Sequence, residues 1–485
     1  MKLFVLGIDA ASEEMLRAFD MPFVHELLDS LKKKDIVEDL ISRGWVEAYT
    51  GEPATKTKGF YEFPLLNKTY DTSLSFNLNI IDKSTNLLWK TLNNKNVSVG
   101  FMGVPTTFPV PQVDGFFVAG GGGGKSLDST YNDGTMFYPD EIVEVLLKNK
   151  YVVDERVPSL LFDKKIYDLT LFFDKLIEMM DRRTQSYIDV YKNKPVDFGF
   201  LAYRAVATVA YLSMSEIQRL IDGKTALNEE YLNELKRFFK ALDINIKNLF
   251  DAIETDNKIL ISDHGITPYN SRVNFNYLLQ KLGFQDKKAQ SLSKSLIHKY
   301  KNLIPFNLRK KLKKSSFVES NVKKGLWFDQ STSIAFCRSE GDVAGIFIND
   351  NKRFNGPVDV LNIHKKALEI CESINLSEEA KKYKLKAHQT KDLFDGDKYK
   401  DLMPDILVSK PLNMKSMTTT TSKFFTENSW FNKPIDLREV KHDNWTGSKK
   451  PNAMFYHSPE LEELIRVEDK NDLTLTYKIA DRFFK

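Results

Sequence analysis

The chain has 485 residues, 42% hydrophobic and 28% charged, an ordinary globular balance that predicts a sizeable core in two or three domains or one large α/β domain with insertions. Two cysteines, Cys337 and Cys371, cannot form a disulfide framework and match no metal-ligand spacing. The net charge of +4 is uneven: twelve Lys/Arg against one acid, Glu319, fall between Lys287 and Lys324, so the remainder is net acidic.

In chain order, residues 2–8 form an apolar run ending at Asp9, which reads as a buried parallel strand. The start lacks a signal-peptide stretch, and no run approaches ~18 apolar residues, so no membrane span is expected and the cytoplasm is the expected location. Val97–Val104 is a second such strand. Gly115–Val118 is a strand-like run leading into Ala119–Ser126, a glycine-rich segment that fits a loose phosphate-loop pattern with Lys125 as its charge. Leu127–Gly134 does not start a helix, which argues against a nucleotide triphosphatase and leaves Lys125 as a candidate phosphate contact.

Apolar residues at spacings of three and four predict helices over Asp140–Asn149 and Leu169–Tyr191; Val196–Tyr203 and Lys258–Ser262 are further strands. Strands alternating with helices predict an α/β fold with a mostly parallel central sheet and helices on both faces. The basic segment contains Leu308–Lys314, an amphipathic stretch that suits an anionic surface or substrate, or equally a solvated helical face. No motif specific to nucleic acid accompanies it.

Asp263-His264-Gly265 follows the strand Ile259–Ser262, and Asp9 ends another. Ligands bind at the carboxyl ends of parallel strands. Two carboxylates and an imidazole converging there suit a divalent metal.

These motifs resemble the type I phosphodiesterase/nucleotide pyrophosphatase branch of the alkaline phosphatase superfamily. Val5–Ala11 is similar to its first metal-ligand strand, where the aspartate is normally followed by glycine, and Ile261–Gly265 with Val273–Asn276 is similar to its second metal motif. Val104–Pro109, Phe328–Thr332, Gly345–Asn349 and Pro404–Val408 follow in the expected order. The resemblance implies an alkaline phosphatase-like core in 1–285, a basic insertion or cap in 286–326, and the remainder of the core with a C-terminal site loop in 327–485. It makes Asp9, Asp263 and His264 metal ligands and Asn274 a substrate-binding residue.

The family is expected to hold two metals beside a Thr or Ser nucleophile. Here the positions expected to carry the Asp-x-x-x-His pair and a late histidine hold Ala207, Tyr211 and Lys449, with His442 as a histidine upstream. One subsite is therefore expected to be vacant, leaving one divalent cation: zinc first, with manganese, iron or calcium as alternatives. The position expected for the nucleophile holds Ile41, next to Ser42. The implied function is a hydrolase or transferase acting on an anionic phosphoester, or a sulfoester. Ser42 would attack, and Lys449 and Arg43 would stabilise charge. The alternative is a catalytically inactive binding protein of the same fold.

Overall fold

Six consecutive buried residues, Leu3–Ile8, form the strand around which the main sheet is built. The computed structural model describes residues 1–73, 76–121, 135–287, 328–338, 343–394, 398–417, 423–441 and 445–485. Along this strand, Leu3 and Val5 join one apolar cluster with Trp45, Trp89 and Ile479. Phe4, Leu6 and Ile8 join another with Leu176, Leu235 and Val209. Side chains alternate across a strand, so both faces of this one are covered by helices, and the sequence reads as an unbroken apolar run. The helices Gly44–Thr50, Leu88–Asn93 and Thr474–Phe483 supply the first cover. Leu169–Asn193, Ala205–Ile221 and Glu229–Ile253 supply the second.

The main sheet has eight strands in the order Lys32–Lys33, Phe455–His457, Asn257–Ile261, Leu3–Ile8, Phe198–Tyr203, Val99–Met102, Gly115–Val118, Phe137–Tyr138. Its five central strands are parallel. The flanking pairings with Phe455–His457 and Phe137–Tyr138 are antiparallel. The predicted strands fall within a few residues of those observed. The predicted helix at Asp140–Asn149 begins as a 3₁₀ turn, Asp140–Ile142, and becomes α-helical over Val143–Lys148.

A second, antiparallel sheet orders Ala335–Cys337, Gly345–Ile348, Ile406–Ser409 and Lys386–Gln389, with the helix Ile363–Leu376 sharing its core. Cys337 and Cys371 are free and buried. From residue 288 to 327 the basic segment lies outside the described residues. Among those described, no helix is long and apolar enough to cross a membrane.

Helix Gly44–Thr50 borders the carboxyl edge of the sheet and carries Glu47. Glu47 and Glu38 are both buried, and Glu38 also accepts from the Leu473 amide at 2.9 Å. Burial pushes Glu38 up to about 8 and Glu47 well above the ordinary carboxyl range. Like charge adds to burial: Glu38 and Asp39 raise Glu47, and Asp39 and Asp472 raise Glu38. The folded state thus keeps a proton that the unfolded chain releases near the ordinary glutamate value of 4.5. Stability must fall as pH rises through that window, because the native state binds more protons than the unfolded one. Urea denaturation is expected to show lower stability at about pH 8 than at about pH 5, with a shallower dependence in Glu38→Gln. Equal pH dependence in parent and variant would contradict a proton retained at Glu38.

Candidate metal centre

Strand register builds the centre. Gly7 pairs with Ile261 and Ile8 pairs with Tyr203, so Asp9, Asp263 and Arg204 emerge near one another just past the carboxyl edge. Asp9, Asp263 and His264 are all buried, and one donor atom from each lies within 4.8 Å of the others. Asp263 Oδ1 accepts from the Ala10 amide at 3.2 Å, and Oδ2 from the Tyr61 hydroxyl at 3.3 Å. Asp9 Oδ2 accepts from Trp45 Nε1 at 3.2 Å. Ala10 takes a left-handed φ of 59° to turn its amide inward, at the position where the resemblance expects glycine.

Gly7 and Gly44 permit the close approaches that shape the centre. A Cβ on Gly7 would stand 2.6 Å from the Trp45 ring, and one on Gly44 would stand 2.2 Å from the Asp263 carbonyl oxygen. His264 Nδ1 lies 2.8 Å from the Gly265 carbonyl, which can only accept, so Nδ1 carries the proton. In the neutral ring, Nε2 turns its lone pair toward the cluster; it lies 3.5 Å from Asp263 Oδ2 and 3.2 Å from the Tyr211 hydroxyl.

Two buried carboxylates beside each other are costly without a cation. Burial first, and then the charge of Asp263, push Asp9 up to about 7, while Arg204, His264 and Lys449 act in the opposite sense. Asp263 is also raised by burial, against the pull of Lys449. Two carboxylates and an imidazole with its lone pair directed inward form a donor set that fits a divalent cation.

The other sequence candidates fall in different settings. Lys449 sits on the strand Gly447–Lys450, paired opposite Ile266, with its ammonium 3.1 Å from the centre of the Tyr61 ring. Its charge reaches both carboxylates. Arg43 is the N-cap of the helix Gly44–Thr50. Its guanidinium is buried, donates to the Phe60 and Tyr61 carbonyls at 2.9 and 3.0 Å, and lies 5.0 Å from the Tyr61 and Phe76 rings.

Ser42 is buried one residue before that cap. Its hydroxyl donates to Asp39 Oδ2 at 2.8 Å and accepts from the Ala54 amide at 3.2 Å, so it is engaged away from the three-residue cluster. Asn274 caps the helix Phe275–Lys281, accepting from the Tyr277 amide at 3.1 Å. Ala207 is buried on the helix Ala205–Ile221, and Tyr211 touches His264 through its hydroxyl. Lys125 and His442 lie outside the described residues.

Three residues join the centre without having been singled out: Trp45, Tyr61 and Arg204. Arg204 was legible in principle, since it follows a strand whose neighbour ends at Asp9. Trp45 arrives on the helix Gly44–Thr50 and Tyr61 on the segment after the helix Ala54–Thr57, contacts that only the folded chain makes.

No family model and no curated protein matches this chain. Solved structures do. Phosphonoacetate hydrolase from Sinorhizobium meliloti 1021, in complex with phosphonoformate, matches at TM-score 0.56 and 11% identity over 100% of this chain and 96% of that one. The same protein with phosphonoacetate matches at TM-score 0.55, with the same identity and coverage. The chain shares the fold of that hydrolase. Murine ectonucleotide pyrophosphatase/phosphodiesterase 5 is a more distant likeness, at TM-score 0.46 and 10% identity over 94% of this chain and 87% of that one. The cluster lies at the carboxyl ends of the parallel strands, where open α/β sheets bind ligands.

If Ala207, Tyr211 and Lys449 stand where the resemblance expects a second set of ligands, tight binding is expected to saturate at one divalent ion per chain. Calorimetric titration with manganese checks this, and saturation at two ions would contradict it.

Proposed function

We propose that this chain is a metal-dependent hydrolase or transferase acting on a phosphoester, with a sulfoester as the alternative substrate, through a one-metal site. The observation that carries the reading is the convergence of Asp9, Asp263 and His264 donor atoms within 4.8 Å at the carboxyl edge of the sheet. These residues would hold the cation, which supplies Lewis-acid polarisation and charge screening when bound. Phosphonoacetate hydrolase, whose fold this chain shares, is a hydrolase by name.

Around that centre the chain's own residues divide the work. Lys449 brings an ammonium beside Asp263, where it can bind an ester oxygen and stabilise charge that develops during transfer. Ser42 is the proposed nucleophile, and Asp39 Oδ2, 2.8 Å from its hydroxyl, is placed to take the proton. To attack, the hydroxyl keeps its proton directed at Asp39 and gives up the Ala54 amide, which frees a lone pair on Oγ. Arg43 steadies the turn between Ser42 and the helix through its bonds to the Phe60 and Tyr61 carbonyls.

A second reading, a protein that keeps the cation but turns over no ester, is favoured by the same two hydrogen bonds that occupy the Ser42 hydroxyl. Metal analysis of the purified protein beside rates on chromogenic phosphodiesters, phosphomonoesters and sulfates separates the two. The enzyme reading expects metal and turnover together; metal without turnover on any of the three supports the second.

Two substitutions refine the test. Asp263→Ala is expected to abolish metal binding, and unchanged metal by elemental analysis would remove Asp263 from the ligand set. Lys449→Ala is expected to keep the metal and lose about a hundredfold in turnover. A variant matching its parent in rate would make Lys449 a bystander.

A further inference from the structure

Arg204 follows the strand Phe198–Tyr203 and precedes the helix Ala205–Ile221, in register beside Asp9. Its Nη1 is gripped by both carboxylate oxygens of Asp154, at 2.9 and 2.7 Å. The Asp154 side chain is fully buried and also takes Arg156 Nε at 2.7 Å. Burial alone would raise Asp154, but the two guanidinium groups outweigh it and hold the carboxyl below its ordinary range, so it is a fixed anion. Gly121, where the glycine-rich tract leaves the described residues, packs directly on this carboxylate.

Asp154 uses only one end of the guanidinium. Among the described residues, neither Nε nor Nη2 of Arg204 has a hydrogen-bond partner, and Nε stops 3.9 Å from Asp9 Oδ2, beyond hydrogen-bond range. The side chain is 20% exposed. Nε and Nη2 form the two-donor edge that matches an oxyanion side-on. Ala207, on the same helix, offers no carboxylate to occupy that edge.

We propose that Arg204, aligned by Asp154, receives the tetrahedral oxyanion of the substrate side-on through Nε and Nη2, beside the metal centre. This rests on the one-metal reading for its neighbour but not for its own geometry. Arg204 is then a binding residue and Asp154 a positioning residue. The arrangement also sets Arg204 and the cation in competition for Asp9, so removing the guanidinium acts on the two ligands with opposite signs.

The test measures dissociation constants of the full chain for inorganic phosphate and, separately, for manganese. Arg204→Gln is expected to weaken phosphate binding by roughly tenfold or more, while manganese binds as tightly as before or tighter. Arg204→Lys keeps the charge and loses the two-donor edge, so it is expected to weaken phosphate binding without weakening manganese. Asp154→Asn is expected to shift phosphate in the same direction with manganese retained. Unchanged phosphate affinity in Arg204→Gln overturns the proposal. So does the loss of both ligands in Arg204→Lys, which would make Arg204 only a brace for the site, and so does a parent protein that binds no phosphate. If the parent takes up no manganese while its phosphate binding still depends on Arg204, the metal reading fails and this one stands.

Discussion

Two buried carboxylates held side by side are the constraint on which the rest of the centre depends. Asp9 and Asp263 arrive together because each follows a strand, and the two strands are parallel neighbours in fixed register. Their mutual repulsion, added to burial, gives the carboxyl edge a standing demand for positive charge. Hydrogen bonds from Trp45, Tyr61 and the Ala10 amide meet part of that demand, and Lys449 and Arg204 approach from either side. His264 presents Nε2 to the carboxylates while Nδ1 donates to the Gly265 carbonyl.

The surrounding structure serves that edge. Gly7 admits the Trp45 ring against the strand, and Gly44 lets the helix Gly44–Thr50 begin against the Asp263 backbone. The same helix carries Glu47, a buried carboxyl that burial and the Glu38 charge push well above its ordinary range. Packing, close backbone approach and a buried carboxyl therefore converge on one short helix, because its start lies beside the site.

Much of this was legible in the sequence where a single rule governs. A strand buried on both faces is apolar throughout, so the runs ending at Asp9 and before Asp263 declared both the parallel sheet and the place where ligands would collect. What the runs could not convey was side-chain commitment. Ser42 reads as a free hydroxyl until the fold places Asp39 and the Ala54 amide against it. Asn274 reads as a site residue, and only the fold shows that it also caps the helix behind it. Arg204 sat in a stretch read for missing ligands, and its significance depends on Asp154, fifty residues earlier. The second sheet was hidden for another reason: its strands are three or four residues long, too short for periodicity to mark.

The central claim is that this edge holds a single cation between Asp9, Asp263 and His264. Anomalous diffraction from crystals soaked in manganese measures it most directly. The account predicts one strong peak per chain, within coordination distance of a carboxylate oxygen from each aspartate and of His264 Nε2. A crystal with no peak at these three residues, or with a second peak beside Ala207 and Tyr211, would contradict it.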